Sequence, residues 1–403
     1  MKIAYFSAPS PYGLYSVFRA LRAGLLPHGI EARWISLPQA IYPGVSDEMW
    51  ALEAPHGELL PSDAKSTAAQ QGRAMIRHIL DRKYDAVVVN PPQRDVEMNV
   101  VRYLPPSVLR LMIVHTIAPG NYTFCRGIRD HVHAAVCISP RQRDDLTRGH
   151  GFSPERTHVI PTGVDMARFR ESVRPPRTPT LRLLSFGRID DSTKSVFSFV
   201  PLMQRLADED VYLTVAGEGH DLAELRRRVT AAGLHDRVKF VGRVEPVDVP
   251  AFLVAYDVFL MPSRTEGLGL ALIETMAAGC VPVASRIRGV TDFVVSEGTT
   301  GYLADIADVP AAVDAVRALA RDRGRLEQVS LAAREDAVRR FTIESMGTAY
   351  AGVLKGIAAS PPPIAPPLPE GDWSYPRGFK PGLRRYIPQR LKDIIRRVQE
   401  SRR

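Results

Sequence analysis

The sequence predicts an α/β protein of two doubly wound, parallel-sheet domains that face a shared cleft. The 403 residues, 45% of them hydrophobic, are enough for two cores, because one domain ordinarily has about 100 to 200 residues. Short apolar runs alternate with amphipathic helical stretches, an order typical of parallel strands covered by helices. The proline-rich stretch 174–179 divides this alternation into two series and is interpreted as the linker between the domains.

The expected strands fall into two groups along the chain. The first domain, assigned to 1–173, has strand-like apolar runs at 2–7, 86–90, 111–116 and 134–139. The second domain, assigned to 180–340, has them at 181–186, 212–216, 238–241, 258–261 and 281–284. The remaining segments are a crossing helix at 341–359, a proline-rich linker at 360–376 and a basic amphipathic tail at 377–403. Ligands of open parallel sheets bind beyond the carboxyl ends of the strands, so functional residues are expected there.

Most of the positive charge lies in the tail. The formal net charge is +9, and 377–403 alone holds ten Lys or Arg and two acidic residues. The nearly neutral remainder argues against a broad nucleic-acid-binding surface. Cys125, Cys137 and Cys280 lack the spacing of a zinc site or a disulfide framework and fit a reducing compartment. The opening residues 1–7 turn polar quickly and no stretch approaches the roughly 18 apolar residues of a membrane span, so we expect a cytoplasmic protein.

The segment 266–274 carries the first candidate site. It follows the expected strand 258–261 and holds a glycine-bearing turn into a helix. Such a helix start offers free backbone amides and the positive end of the helix dipole to an anionic phosphate. Glu266 and Glu274 would both reach a ligand at this position, where carboxylates accept hydrogen bonds from sugar and ribose hydroxyls. The structural alternative is that Glu274 caps or salt-bridges the helix and Glu266 is solvated.

A second candidate follows the expected strand 181–186. The strand runs into Gly187 and Arg188, and Lys194 stands before the next helical pattern. Lysine is scarce, with eight residues against 45 arginines, which makes Lys194 conspicuous. Fixed cations at a strand end stabilise the negative charge of a departing diphosphate and replace a metal ion there. The alternative is a solvated loop with two ordinary surface cations.

With these segments the chain resembles the retaining GT-B glycosyltransferases of family four, the glycosyl transferases group 1. The resemblance extends from about Pro161 to Leu303. It implies two Rossmann-like domains and transfer of a sugar from a nucleoside diphosphate sugar to a hydroxyl acceptor with retained anomeric configuration. Polysaccharide, glycolipid or glycoconjugate biosynthesis would be the setting, and no cofactor beyond the donor substrate is implied. The motifs in family order are 161–165, Gly187-Arg188 with Lys194, 240–242, 266–274, and 282–284 with 289–290 and 301–303.

The resemblance also assigns roles within the donor site. It implies that Arg188 and Lys194 hold the donor diphosphate and that Glu274 takes the ribose hydroxyls. Glu266 and the backbone amides of 268–270 would hold the sugar and the distal phosphate. The catalytic candidates are His115, Arg188, Lys194 and Glu266, and the donor-binding candidates are Gly13, Gly187, Arg243, Val244, Leu268, Gly269, Leu270 and Glu274.

Further candidates for the site lie outside the segments described so far. In the family the nucleobase lies against the backbone after a Phe-x-Gly element, which here means Arg243 and Val244. His115 ends an expected strand, and a histidine there looks toward the donor sugar in the family; a hydrogen-bonded strand-end histidine is the alternative. The loop after the first strand keeps only Gly13 where many relatives have paired glycines, and Gly13 is the candidate for a close backbone approach. The segment 90–94 caps a strand and is expected to shape the acceptor pocket.

No metal site is expected from the sequence. The run 208–210, Asp-Glu-Asp, imitates an Asp-x-Asp metal motif but stands in a polar surface stretch before a strand, where solvated carboxylates are expected. The run 215–219 looks like a glycine-rich phosphate loop, yet it lacks the full dinucleotide fingerprint. We interpret it as a strand-to-helix turn lining the donor cleft.

The basic tail and the rival functions remain open at this stage. In 377–403, apolar residues recur at three- and four-residue steps, the pattern of a basic amphipathic helix. It would lie on an anionic membrane surface, which suits a lipid-linked acceptor, or pack on the protein body. A sugar-nucleotide epimerase on the same architecture is the nearest rival enzyme, because fold alone does not select chemistry; a phosphorylase would need a cofactor-anchoring lysine, for which there is no candidate. The non-enzymatic rival is a membrane- or nucleic-acid-binding protein driven by the tail.

Overall fold

Two α/β units make up the chain in the computed structural model, which describes residues 1–10, 13–38, 45–61, 65–91, 95–376 and 379. Of the described residues, the first unit comprises Met1–Gly163 and those from Ile343 onward, and the second comprises Val164–Thr342. Among the described residues, no helix combines the length and the apolar character needed to cross a membrane.

The described part of the first unit is built on a parallel sheet of seven strands. They are β1 (Lys2–Phe6), β2 (Glu31–Ser36), β3 (Gly57–Leu59), β4 (Ala86–Val89), β5 (Leu109–Val114), β6 (Ala134–Cys137) and β7 (Thr157–Val159), in the order β3-β2-β1-β4-β5-β6-β7. Every residue of β4, β5 and β6 is buried, as expected for central strands with helices on both faces. The covering helices are α1 (Gly13–Leu25), α2 (Asp47–Glu53), α3 (Ala68–Asp81), α4 (Asp95–Asn99), α5 (Pro119–Ile128) and α6 (Pro140–Asp144).

The second unit repeats this plan with six parallel strands. They are β8 (Leu181–Phe186), β9 (Val211–Ala216), β10 (Val238–Gly242), β11 (Val258–Met261), β12 (Val281–Ser285) and β13 (Tyr302–Ala304), in the order β10-β9-β8-β11-β12-β13. The helices are α7 (Ala167–Arg170), α8 (Asp191–Lys194), α9 (Phe199–Arg205), α10 (Leu222–Ala231), α11 (Val249–Leu253), α12 (Leu270–Ala277), α13 (Thr291–Val294), α14 (Val309–Arg321) and α15 (Arg323–Arg340). Two doubly wound parallel sheets confirm the predicted fold class.

The last α-helix among the described residues, α16 (Ile343–Ala359), belongs to the first unit although it follows the second in the chain. It packs along α1, and the two backbones meet at glycines. A Cβ atom on Gly347 would lie 2.0 Å from the carbonyl oxygen of Gly24. Only glycine therefore fits at this crossing. The helix expected at 341–359 is thus an integral part of the first unit's core.

The boundary between the units lies after Gly163 rather than after 173. The segment 174–179, expected to be the linker, is part of the second unit and is bonded to its sheet. Arg174 Nη2 and Arg177 Nη1 lie 3.1 and 2.8 Å from Asp257 Oδ1, and this carboxylate is fully buried. The prolines of the segment do interrupt regular structure, but the arginines among them fix it in place, and this contact was not predictable from the local sequence.

The proline-rich segment 360–376 lies against the first unit. Its Trp373 ring stacks on Tyr103 with a centroid separation of 4.6 Å and an interplanar angle of 17°. Beyond it, Phe379 is 2% exposed and contributes to the core of the first unit. The basic tail predicted at 377–403 lies outside the described residues except for this phenylalanine.

Candidate functional site

The carboxyl ends of β8 and β11 enclose a cleft of about 440 Å³. These strands are neighbours in the sheet, and the strand order runs outward from them in opposite directions. Open α/β sheets bind ligands at such a switch point because the loops on either side diverge and leave a crevice. The cleft is lined by the loop after β8, by Lys194, by the loop after β11 and by the first turn of α12.

An ion pair between Lys194 and Glu266 occupies the cleft. Lys194 Nζ lies 2.5 Å from Glu266 Oε1, and the two side chains are 28% and 9% exposed. Ser263 Oγ donates a hydrogen bond to the same carboxylate oxygen at 2.7 Å. The backbone N–H of Arg264 donates to the carbonyl of Thr193 at 2.8 Å and so ties the two loops together. Lys194 and Glu266, which the sequence singled out separately, therefore contact each other in the cleft.

Gly187 and Arg188 form the wall contributed by β8. Gly187 has φ of +137°, and its neighbour across the loop, Gly217, comes so close that a Cβ atom there would lie 1.8 Å from the Gly187 carbonyl oxygen. The glycines of 215–219 thus serve loop packing beside the cleft, and the described lining does not include them. The Arg188 side chain is 65% exposed, with Nε 3.8 Å from Asp190 Oδ2, which leaves it free to move toward a ligand.

The N-terminus of α12 forms the third wall. Gly269 is the N-cap residue with φ of +87°, a left-handed conformation that favours glycine. Leu268 is 1% exposed and anchors the turn, while Leu270 begins the helix and lines the cleft. The first amides of a helix have no acceptor within it, and the helix dipole adds positive potential. This end of the cleft suits an anionic group.

Glu274 lies one turn further along α12. It is half-buried, and no described residue forms a hydrogen bond with its carboxyl group. Burial raises the pKa of Glu274 to about 7, and the positive charge of Arg168 opposes this rise. The described lining of the cleft stops short of Glu274. The group is therefore an unpaired carboxyl beside the cleft, able to accept hydrogen bonds from a ligand that extends toward it.

Comparison with known proteins matches the part of the chain that forms this cleft to a family. Residues 168–336 match the model of the family described as glycosyl transferases group 1. The second unit belongs to the group 1 glycosyl transferases. The matched stretch contains the Lys194–Glu266 ion pair and the α12 turn described above.

Two curated relatives from Mycobacterium tuberculosis share this glycosyl transferase unit. A glycogen synthase is 30% identical over 220 residues, which cover 54% of this chain and 53% of that protein. A GDP-mannose-dependent alpha-(1-6)-phosphatidylinositol monomannoside mannosyltransferase is 31% identical over 258 residues, covering 60% of this chain and 66% of that protein. The matches thus span about half of the first relative and just under two thirds of the second.

Both units have a counterpart among solved structures. Sucrose-phosphate synthase from Thermosynechococcus elongatus superposes with a TM-score of 0.72 at 20% identity, covering 89% of this chain and all of that one. At this identity the likeness concerns the fold. The two doubly wound units are those of the GT-B fold.

The nucleobase contacts expected from the sequence follow β10. Gly242 ends the strand with φ of +74°, and Arg243 Nε then lies 3.3 Å from Glu245 Oε1. Because β9 separates β10 from β8, Arg243 and Val244 are not among the described residues that line the cleft. Their contact with a base stays a prediction.

In the first unit, His115 follows β5 and forms a hydrogen bond with Asn90. His115 Nε2 lies 2.9 Å from Asn90 Oδ1, and Asn90 Nδ2 donates to the Phe6 carbonyl at 3.3 Å. This network connects the ends of β1, β4 and β5. Burial lowers the pKa of His115 to about 4, so the ring is neutral near pH 7. With Nε2 donating to Asn90, the tautomer leaves Nδ1 as an acceptor.

Gly13 begins α1 and is exposed. A Cβ atom on it would meet nothing within 4 Å, so the protein alone does not require glycine at this position. Any such requirement would come from a ligand. Of the segment 90–94 expected near the acceptor, Asn90 and Pro91 are described and the other residues lie outside the described part.

The acidic run 208–210 is held by ion pairs and hydrogen bonds. Arg317 pairs with Asp208 and Glu209 at 3.1 and 3.2 Å, and Arg321 pairs with Glu209 at 2.6 Å. Asp210 accepts a hydrogen bond from Thr180 Oγ1 at 2.9 Å. The expectation of solvated carboxylates misses the arginines of α14, which come from a distant part of the sequence. These acids have structural partners.

Sequence reasoning also missed one group of potential metal ligands. In the described part of the chain, ligand atoms of Asp190, His220 and Asp221 lie within 4.8 Å of one another. Asp190 accepts hydrogen bonds from the hydroxyls of Ser192 and Thr193 at 2.7 and 3.0 Å. Asp221 Oδ2 accepts a hydrogen bond at 2.7 Å from the backbone N–H of the residue that follows Asp190. These hydrogen bonds give the carboxylates a role in stabilising the loop. Asp190 is close to His220 and Asp221 in the folded structure but distant from them in the sequence, so no sequence motif indicates the group.

Proposed function

We propose that the chain transfers a glycosyl group from a nucleoside diphosphate sugar to a hydroxyl acceptor, with retention of the anomeric configuration. The observation that carries this proposal is the switch-point cleft in which the Lys194–Glu266 ion pair stands beside the N-terminus of α12. One relative described above is named a glycogen synthase, and the other is named a GDP-mannose-dependent mannosyltransferase.

In the proposed complex the diphosphate occupies the positive end of the cleft. Lys194, Arg188 and the first amides of α12 are the available donors, and they stabilise the charge that develops as the diphosphate leaves. Fixed donors of this kind need no reorganisation during the reaction. Leu268, Gly269 and Leu270 contribute main chain, and their amides would hold the distal phosphate.

The two glutamates have different proposed roles. Glu266 is fixed by Lys194 and Ser263, so it is positioned to accept hydrogen bonds from the donor sugar. Glu274 has no described partner and would accept the ribose hydroxyls. Neither is assigned as a nucleophile, and retention by double displacement would need one close to the anomeric carbon. Front-face attack, with the departing diphosphate oxygen accepting the acceptor's proton, is the mechanism we propose.

Residues outside the cleft lining complete the proposal. Arg243 and Val244 would contact the nucleobase, and Gly187 leaves room for the diphosphate. His115, neutral and held by Asn90, would meet the donor sugar, and Gly13 would allow close approach of the backbone to donor or acceptor.

No metal ion or cofactor is part of the proposed reaction. The cations of the cleft supply the charge stabilisation that a metal would otherwise provide. We expect transferase activity to persist in excess chelator. Complete loss of activity in chelator, restored by manganese, would contradict this and direct attention to Asp190, His220 and Asp221.

The acceptor is proposed to be a lipid-linked saccharide at the cytoplasmic face of a membrane. The matched mannosyltransferase is named for a phosphatidylinositol mannoside. The sequence of 377–403 combines ten cations with regularly spaced apolar residues, a composition that favours an anionic lipid surface. Glycolipid or polysaccharide biosynthesis would be the setting.

Calorimetric titration with a panel of nucleoside diphosphates and nucleotide sugars tests the donor assignment. We expect selective binding by the wild type that is lost in both Lys194→Ala and Glu274→Ala. Lys355→Ala and Glu335→Ala are the matched controls, because each removes an exposed side chain of the same type away from the cleft. Absence of binding by the folded wild type would overturn the proposal.

A further inference from the structure

A second cleft of about 540 Å³ adjoins the first. Phe199, Leu260 and Pro262 line both clefts and form the wall between them. The second cleft lies at the carboxyl ends of β12 and β13, between α9 and α14. None of the residues assigned to the donor, the sugar or the acceptor lines it, so the proposed transferase reaction leaves it unused.

The chemistry of this cleft differs from that of the donor cleft. Apolar side chains such as Leu202, Val283 and Val309 form its floor. Two polar atoms from lining residues, Ser195 Oγ and Arg264 Nε, are buried without a hydrogen-bond partner. Buried polar atoms are almost always hydrogen-bonded in folded proteins, so two unpaired donors in one cleft call for an acceptor.

Ser195 gives a second, independent indication. It is 2% exposed and has φ of +50°, a backbone conformation that non-glycine residues rarely adopt. Its carbonyl accepts a hydrogen bond from Ser198 Oγ at 2.7 Å, yet its own hydroxyl stays unpaired. Strained backbone of this kind is concentrated at binding sites, where surrounding structure holds it in place.

Of the two unpaired groups, Arg264 is positively charged and Ser195 is neutral. Arg264 forms no ion pair with any described residue. Asp305 and Asp308 stand at the exposed rim, and Asp308 Oδ1 is engaged by the N–H of Ala311 at 3.0 Å as the cap of α14. The guanidinium group is therefore the charge without a counterion in the interior of the cleft.

We propose that this cleft binds a small organic anion with an apolar body, of the aryl carboxylate or aryl phosphate class. The anion's oxygens would accept hydrogen bonds from Ser195 Oγ–H and Arg264 Nε–H. Its apolar body would cover the floor between α9 and α14. The site is separate from the donor cleft and does not depend on the proposed transferase activity.

Ligand-observed NMR titration of the full chain with benzoate tests the proposal, with benzyl alcohol and benzylamine as neutral and cationic probes of similar size. We expect saturable binding of benzoate and at least tenfold weaker binding of the other two. Arg264→Gln should weaken benzoate binding at least tenfold, and Ala312→Phe, which fills the half-exposed side of the cleft, should abolish it.

Two controls separate this site from other surfaces. Arg286→Gln removes a nearby exposed arginine that does not line the cleft, and Lys194→Ala alters the donor cleft alone. Both should retain benzoate binding. Arg264→Gln keeps a polar side chain and adds no volume to the cleft, so it keeps the test valid if Ala312→Phe fails to fold. Equal binding of all three probes, loss in Lys194→Ala with retention in Arg264→Gln, or no saturable binding would overturn the proposal.

Discussion

At the scale of single residues, Glu266 in the cleft and Glu274 beside it stand in contrasting environments. Glu266 is held by Lys194 at 2.5 Å and by Ser263 at 2.7 Å. Glu274 has no described partner, and burial raises its pKa to about 7. A carboxyl group with a pKa near neutrality changes charge within the working range of an enzyme. Glu274 is therefore the residue through which pH would act on donor binding.

Donor binding is expected to strengthen as pH rises through about 7. Ribose hydroxyls donate to a carboxylate, and Glu274 is protonated below its raised pKa and ionised above it. Affinity should fall by up to about tenfold per pH unit on the acid side. Titration calorimetry of the nucleotide between pH 5.5 and 8.5 measures this. Glu274→Gln should remove the dependence, and an unchanged pH profile in that variant would assign the effect to another group.

Lys194→Ala is expected to lower turnover far more than it weakens acceptor binding. Removal of one preorganised donor to a developing anion typically costs about 100- to 1,000-fold in kcat. The substitution also leaves Glu266 without its counterion, so the double variant Lys194→Ala/Glu266→Gln is needed to separate lost stabilisation from added repulsion. Steady-state kinetics with varied acceptor gives both quantities. Equal losses in kcat and acceptor affinity would argue against the proposed role.

The sequence singled out several residues that line the first cleft, but it did not reveal their contacts. Gly187, Lys194 and Glu266 were predicted from local patterns of strand, glycine and helix. Their meeting depends on two loops that are distant in the sequence. The same limit explains why Ser195 and Arg264 were missed, since neither belongs to a recognisable motif and their common feature is a pair of unpaired buried atoms.

At the scale of elements, the pairing of α1 with α16 joins the two ends of the first unit. The helices approach closely enough that the backbones touch at Gly24 and Gly347. Such contact maximises packing between the helices and leaves no room for a side chain. Helix propensity and packing therefore oppose each other at this site.

Gly347→Ala is expected to destabilise the protein, against the usual trend for helices. In an exposed helix position, Gly→Ala stabilises by about 1 kcal/mol. At Gly347 the new Cβ would lie 2.0 Å from a backbone oxygen, so we expect a net loss of about 2 kcal/mol or more. Gly352→Ala in the same helix is the control, because its Cβ meets nothing within 4 Å. Chemical denaturation compares them, and equal stabilities would contradict the prediction.

The sequence predicted the central strands and missed most edge strands. β4 and β11 are continuous apolar runs, and β5 is apolar except for Arg110, because these strands are buried on both faces. The edge strands β3, β7 and β13 have three residues each, too few for a pattern to stand out. β2 was missed because charged residues interrupt it. The length of a strand and its burial on both faces therefore decide whether the sequence predicts it.

At the scale of the whole molecule, the proline-rich segment fixes where the basic tail begins. Trp373 and Phe379 are both packed on the first unit, the latter 2% exposed. A deletion that tests the tail should therefore begin after Phe379, since an earlier cut would remove part of the core. This boundary was not evident from composition.

Removal of residues 381–403 is expected to abolish membrane association without changing stability. The full chain should float with vesicles containing phosphatidylserine and remain in solution with neutral vesicles, because cationic and apolar residues bind anionic surfaces together. Flotation of both forms, with thermal unfolding as the control for folding, measures this. Equal flotation of the two forms would show that the tail is not the anchor.

The discontinuous first unit also constrains how the protein is made. The residues of the second unit, Val164–Thr342, are contiguous, whereas α1 must wait for α16. A ribosome adding about 5 to 20 residues per second leaves the Gly24 face of α1 uncovered while some 300 further residues are synthesised, a delay of about 15 to 60 seconds. We therefore expect the nascent amino-terminal segment to need protection, such as a chaperone gives, until α16 has been synthesised.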